Sequence, residues 1–274
     1  MNNPVSLIVF IIVAIGIALL LRSSRKKKKQ VAEKLEQPFP ADWRTILEKD
    51  VAFYAQLNEQ DKLLFEKRAW RFIATKSMEG IDTDIDDSIR LMVASSAIIP
   101  TFAFAEYNYP HVQTILIYPN SFDEQFQTNR YKGHQEFITG MVGNRSLNST
   151  VILSKPDLIA AFDGLPHKGN VGIHEFVHLL DKEDGEIDGI PEALIQRPFV
   201  GPWLHEIKKE MKEIEDGKSD INPYALTNNA EFLAVVSEYF FDNPEKFRTR
   251  HPELYRFLST IFKGEKSVSP PIGK

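Results

Sequence analysis

Residues 170–181 read Asn-Val-Gly-Ile-His-Glu-Phe-Val-His-Leu-Leu-Asp. Val171, Ile173, Val177 and Leu180 recur at helical spacing, so the stretch predicts a buried helix with a polar seam. His174 and His178 stand one turn apart on one face, and both imidazoles can reach a single ion. Glu175 lies beside them, placed to touch a water held by that ion. The chain has no cysteine, so a metal must be held by histidines and carboxylates. Two imidazoles plus a carboxylate favour Zn²⁺ with an open coordination position. The bland alternative is a helix with two satisfied core histidines. The apolar flanks count against it, because they place the His-Glu-x-x-His spacing on the helix that metal-assisted hydrolysis needs.

A third ligand is required, and two acids compete. Asp184 falls where some enzymes with this motif carry their third ligand, but that class turns the chain at a glycine, and here the position is Asp181. The second candidate lies in Asn229-Ala-Glu-Phe-Leu-Ala-Val-Val-Ser-Glu-Tyr-Phe-Phe, apolar apart from Glu231 and Glu238. These acids are seven residues apart and share a face. A carboxylate on such a helix is costly unless it is paired or bound to metal. Glu231 as ligand, with Glu238 orienting a histidine from behind, relieves that cost. A salt bridge is the ordinary alternative for Glu238.

Around this centre the body reads as α+β. Helices are expected over 42–56, 59–77, 84–99, 156–162, 170–181, 201–216, 228–242 and 251–262, with Thr83 capping the third. Val112–Tyr118 and Thr150–Leu153 are short, β-branched runs and read as strands. The acids at 82–87 lack the glycine and the final glutamate of a calcium loop, and those at 184–188 have Gly189 but Ile195 in place of that glutamate, so both read as helix starts or solvated loops. His111, His134, His167, His205 and His251 lack ligand spacing and are expected to be ordinary surface histidines. Residues 263–274, with Pro270, Pro271 and Gly273, read as a loose tail.

The net charge of −5 hides an asymmetry. Arg22, Arg25 and Lys26 to Lys29 give residues 1–29 a charge of +6 with no acid, leaving −11 for residues 30–274. So acidic a body is a poor partner for nucleic acid, and no direct binding of it is expected. Residues 4–21 form an uncharged apolar run that, as a helix, spans roughly 27 Å, close to the hydrocarbon thickness of a bilayer. The positive charge follows this run, whereas a secretory signal peptide carries it in front. Residues 1–29 are therefore expected to be an uncleaved transmembrane anchor with a basic cluster, and 30–40 a linker. The positive-inside rule gives a single-pass membrane protein with its N-terminus outside and its body in the cytoplasm.

The stretch from His174 to Pro191, His-Glu-Phe-Val-His-Leu-Leu-Asp-Lys-Glu-Asp-Gly-Glu-Ile-Asp-Gly-Ile-Pro, resembles the signature of the Mlc titration factor A family of zinc metallopeptidases. So does Asn222-Pro-Tyr-Ala followed by Ala230-Glu-Phe-Leu-Ala-Val-Val-Ser-Glu-Tyr-Phe-Phe. Weaker likeness runs through Lys76-Ser-Met-Glu-Gly and Ile115-Leu-Ile-Tyr-Pro. The resemblance spans about residues 55–262. It implies a helix-rich zincin-like metallopeptidase domain over 41–262, with a core similar to that of anthrax lethal factor. It implies zinc held by His174, His178 and Glu231, with Glu175 as general base. Tyr224 becomes the tyrosine that faces the site, and Asp184 a structural acid. The implied activity is peptide hydrolysis of the glutamate-ligand (gluzincin) type, with aminopeptidase activity in some members. The implied partners are a peptide or protein substrate and, for some members, a transcriptional repressor of sugar uptake. That leaves an alternative: a membrane-tethered protein that sequesters a regulator with little catalysis. Two features depart from the family. Gly140-Met-Val-Gly-Asn stands where a Gly-Glu-Ala stretch is usual, and residues 4–29 are an addition to the best-known members, which are soluble.

Overall fold

The computed structural model describes residues 35–104, 107–122, 139–142, 149–164, 169–192 and 194–263, with scattered positions between 15 and 33. The chain divides into two units, residues 1–39 and 40–274. In the first, the stretch expected as a linker is helical at Gln30 to Glu33. Of the apolar run 4–21, only Ile15, Gly16, Ala18 and Leu19 are described, so the transmembrane expectation lies largely outside the described residues. Among the described residues no helix is long and apolar enough to cross a membrane. The tail from 264 onward also lies outside them.

The second unit opens with α1 (Ala41–Asp50) and the short α2 (Ala52–Ala55). One continuous helix was expected here. It breaks at Val51, which takes an extended conformation and buries its side chain. Asn58 then caps α3 (Glu59–Thr75), its Oδ1 accepting the Asp61 N–H at 2.9 Å. Strand β1 (Ser77–Gly80) follows, a strand that periodicity missed. The next helix, α4 (Asp87–Ile98), is capped by Asp86 and not by Thr83, because residues 81–85 stay irregular, with Asp82 at a φ of 51°. From Ile89 onward α4 is buried on almost every face, so it forms the centre of the helical layer.

The sheet is completed by β2 (Thr114–Tyr118), β3 (Gly140–Val142) and β4 (Thr150–Ser154), in the order β1-β2-β4-β3. The pairs β1/β2 and β2/β4 are parallel, with Ile115 opposite Val151 and Ile117 opposite Leu153. Central β4 is buried at every position, which its unbroken Val-Ile-Leu run required. Strand β3, at the edge of the sheet among the described residues, runs antiparallel, with Gly140 opposite Leu153 and Met141 opposite Ile152. Helices α5 (Lys155–Phe162), α6 (Val171–Asp181) and α7 (Arg197–Glu215) follow. Helix α7 starts four residues earlier than expected, since Pro198 sits in the first turn, where no N–H donor is needed. The chain closes with α8 (Asn229–Asp242), α9 (Pro244–Arg250) and α10 (Pro252–Lys263). Helix α6 packs against α4, α5 and α8 and touches β3 and β4, so the motif helix is walled by core on several sides.

Candidate active site

Two capped helices build the site. Asn170 caps α6, its Oδ1 accepting the Ile173 N–H at 3.0 Å, and this fixes the turn that leads into His174. Asn228 caps α8, its Oδ1 accepting the Glu231 N–H at 2.9 Å. Glu231 is thereby pinned in the first turn of α8, with its carboxylate turned to the motif helix. His174 Nε2 lies 3.0 Å from Glu231 Oε2 and 3.1 Å from His178 Nε2. His178 Nε2 lies 3.4 Å from the same Glu231 oxygen. Ligands about 2.0–2.1 Å from a tetrahedral zinc sit about 3.3 Å from one another, so this triangle has the size of one face of such a site. With each ring protonated on Nδ1, both Nε2 lone pairs and the Glu231 oxygen point at one place, a set of three donor atoms and no proton. The donor set therefore fits a cation. Among the described residues, His174, His178 and Glu231 are the group that could hold a metal ion.

The charges around this point are set by burial and by each other. Burial alone would raise the Glu231 carboxyl, but its contacts with His174 and His178 pull it down to about 2. Burial alone would lower the His174 imidazole. The hydrogen bonds to Glu231 and Glu238 outweigh it and hold His174 well above the usual histidine range. Glu175 is buried against the same centre, and desolvation pushes its carboxyl up although His174 and His178 oppose the shift. A carboxylate raised in this way is a better proton acceptor than an exposed one.

Glu238 has the orienting geometry, with Oε1 2.6 Å from His174 Nδ1. One imidazole thus spans Glu231 and Glu238 of α8. The contact fixes the ring's orientation, and a proton kept on Nδ1 would leave the Nε2 lone pair for a bound cation. Glu238→Gln is expected to weaken zinc binding about 10–100-fold, measured by titration against a competing chelator. Unchanged affinity would show that the pair only neutralises charge.

Tyr224 sits on the turn Pro223–Leu226, and its ring centroid lies 6.2 Å from that of His174. It is 52% exposed. Gly140 of β3 lies on the flank of the motif helix. A Cβ there would stand 2.7 Å from Glu175 Oε1, so only glycine lets the edge strand come this near. Asp184 is exposed and outside the cluster, and its Oδ1 accepts the Glu186 N–H in a local turn. Asp181 is the residue that sequence reasoning undervalued. It is buried, and its Oδ2 accepts the Gly189 N–H at 2.8 Å. Gly189 has a φ of 80° and packs against the Asn229 carbonyl, while Trp203 Nε1 donates to the Gly189 carbonyl at 2.7 Å. The clamp joins the end of α6 to the start of α8, two residues before Glu231. Burial pushes the Asp181 carboxyl up to about 6.

His111 and His205 are exposed, and His134 and His167 lie outside the described residues. His251 corrects the expectation of a surface histidine. It is buried, with Nδ1 3.1 Å from Glu210 Oε2 and Nε2 2.9 Å from Asp220 Oδ1. Its partners sit on distant segments, so no local spacing announces them.

Residues 22–263 match the family described as glucose-regulated metallo-peptidase M90. The chain belongs to this family. An uncharacterized protein of Synechocystis sp. is 29% identical over 235 residues, covering 83% of this chain and 85% of the relative. The Mlc titration factor A of Salmonella arizonae is 28% identical over 240 residues, covering 83% and 93%. That of Escherichia fergusonii is 30% identical over 232 residues, covering 81% and 85%. Membership makes the chain a metallopeptidase-type enzyme, which implies a metal and a peptide substrate.

Proposed function

We propose that this chain is a zinc-dependent peptidase of the gluzincin type, tethered to a membrane by residues 4–21 with its body on the cytoplasmic side. One observation carries the catalytic assignment: His174, His178 and Glu231 converge on one point, with Glu175 buried beside it. In this assignment His174, His178 and Glu231 hold the metal. When bound, zinc polarises the scissile carbonyl and brings the pKa of a water to about 7. Glu175 takes the proton from the attacking water and returns it to the leaving amine. The Tyr224 hydroxyl donates to the oxyanion that forms on the carbonyl. Glu238 keeps His174 aimed, and Asp181 holds the α6–α8 junction.

The test is hydrolysis of a mixed peptide pool by the full-length protein, with zinc and with chelator. Cleavage that stops with chelator and returns with zinc supports the peptidase. The fragments show whether ends are trimmed, as in an aminopeptidase, or interiors are cut. Failure of zinc to restore activity would sink the metal assignment. For the anchor, the protein is expected to pellet with membranes and to resist external protease in spheroplasts. Degradation from outside would reverse the orientation.

A second reading comes from the relatives' name, Mlc titration factor A. By that likeness the alternative is a membrane-tethered protein that sequesters a transcriptional regulator with little or no catalysis. Capture that survives removal of the Glu175 carboxylate would separate that role from catalysis.

A further inference from the structure

Asp220 stands four residues before Tyr224, in the chain that enters the tyrosine's turn. Its carboxylate gathers side chains from several segments. Oδ1 accepts from His251 Nε2 at 2.9 Å. Oδ2 accepts from the Tyr239 hydroxyl at 2.9 Å and from Lys246 Nζ at 2.9 Å, with Arg250 Nε at 3.4 Å. These partners come from α8, from α9 and from the residue just before α10. His251 extends the network to α7, since its other ring nitrogen faces Glu210, which Lys209 also pairs. An imidazole with a carboxylate at each nitrogen donates to both only as an imidazolium. Burial would raise the Asp220 carboxyl, but these donors hold it well below the ordinary range, so it stays charged.

The next residues carry this fixed point toward the catalytic centre. Ile221 is buried at 2% exposure. Asn222 Oδ1 accepts the Tyr224 N–H at 3.0 Å and starts the four-residue turn. At the far end of the turn, Asn228 caps α8. The turn is thus held between two anchors, and its exposed tip is Tyr224.

We propose that Asp220 is a positioning residue for Tyr224: clamped by His251, Tyr239, Lys246 and Arg250, it fixes the chain that presents the Tyr224 hydroxyl to the substrate carbonyl. This deepens the peptidase reading and rests on it for the role of Tyr224. The anchoring itself is a statement about the turn.

The experiment uses the zinc-loaded full-length chain. Asp220→Ala, Asp220→Asn and Tyr224→Phe are made singly, and each Asp220 change is combined with Tyr224→Phe. Peptide hydrolysis and zinc affinity are measured, with fluorine NMR of fluorotyrosine-labelled protein. Tyr224→Phe assigns the Tyr224 signal. Asp220→Ala is expected to lower kcat about tenfold to 100-fold, the scale of a misplacement of about 1 Å, with zinc affinity unchanged. Asp220→Asn, which keeps the shape and part of the bonding, is expected to recover part of that loss. In the Tyr224→Phe background either change is expected to cost less than about threefold, because two residues that act as one are not additive. The Tyr224 fluorine signal is expected to shift and narrow as the turn loosens. If the losses multiply in the double variants, Asp220 acts elsewhere and the proposal falls. An unmoved Tyr224 signal in both Asp220 variants overturns it as well. If Asp220→Ala does not fold, Asp220→Asn carries both readouts. Should Tyr224→Phe be fully active, the oxyanion role fails, while the fluorine signal still decides the anchoring.

Discussion

Replacing Glu175 with alanine is expected to lower peptide hydrolysis about 10²–10⁴-fold while the protein keeps its zinc. The geometry separates the two properties. The converging atoms belong to His174, His178 and Glu231, and Glu175 is not among them. Its side chain lies against Gly140 of the edge strand, where burial raises its carboxyl. Loss of that carboxylate leaves the three metal-holding groups and both helix caps in place. The water loses its proton acceptor, and the leaving amine loses its proton donor. Paired measurements of hydrolysis and bound zinc check the separation. Activity within tenfold of the parent, or loss of the metal, would sink the assignment of Glu175.

Glu231→Ala is expected to fail at the preceding step, with zinc affinity falling by more than the roughly 10–100-fold that loss of an outer partner costs. The helix itself should survive. The Asn228 cap uses the backbone N–H of residue 231, so alanine keeps that bond. What disappears is the carboxylate oxygen that lies 3.0 Å and 3.4 Å from the two imidazole nitrogens. Asp184→Ala is the control, since Asp184 is exposed and accepts the Glu186 N–H in its own turn, outside the cluster of His174, His178 and Glu231. Competition with a zinc chelator measures both variants. Full zinc in Glu231→Ala together with loss in Asp184→Ala would reverse the ligand assignment.

The sequence disclosed the two halves of this site unequally. The motif helix was legible because it is short-range: apolar residues at helical spacing and two histidines one turn apart. Glu231 and Glu238 stood out as acids on an apolar helix, and the structure turns both to His174. Which acid joins the two histidines could not be read from spacing alone, because 57 residues separate His174 from Glu231. Strand β1 was missed since Ser77–Gly80 buries only Met78 and has no β-branched residue. Helix α9 was missed because its seven residues are polar except for Phe247, the one position it buries. Asp181 and His251 escaped for a common reason. Each gains its role from a partner brought up by the fold, Gly189 for one and Asp220 for the other.

Among the described residues strand β3 ends the sheet, runs against its neighbour and lies beside Glu175 through Gly140. For a peptidase built this way, a target that reaches the centre by pairing with β3 must first offer a stretch of backbone with its own hydrogen bonds open. A segment locked in a native helix or sheet has none to give. Selection then begins with the target's folding state and only afterwards concerns its side chains. A compact substrate would be cut in proportion to how often it opens, so its turnover would follow its local stability.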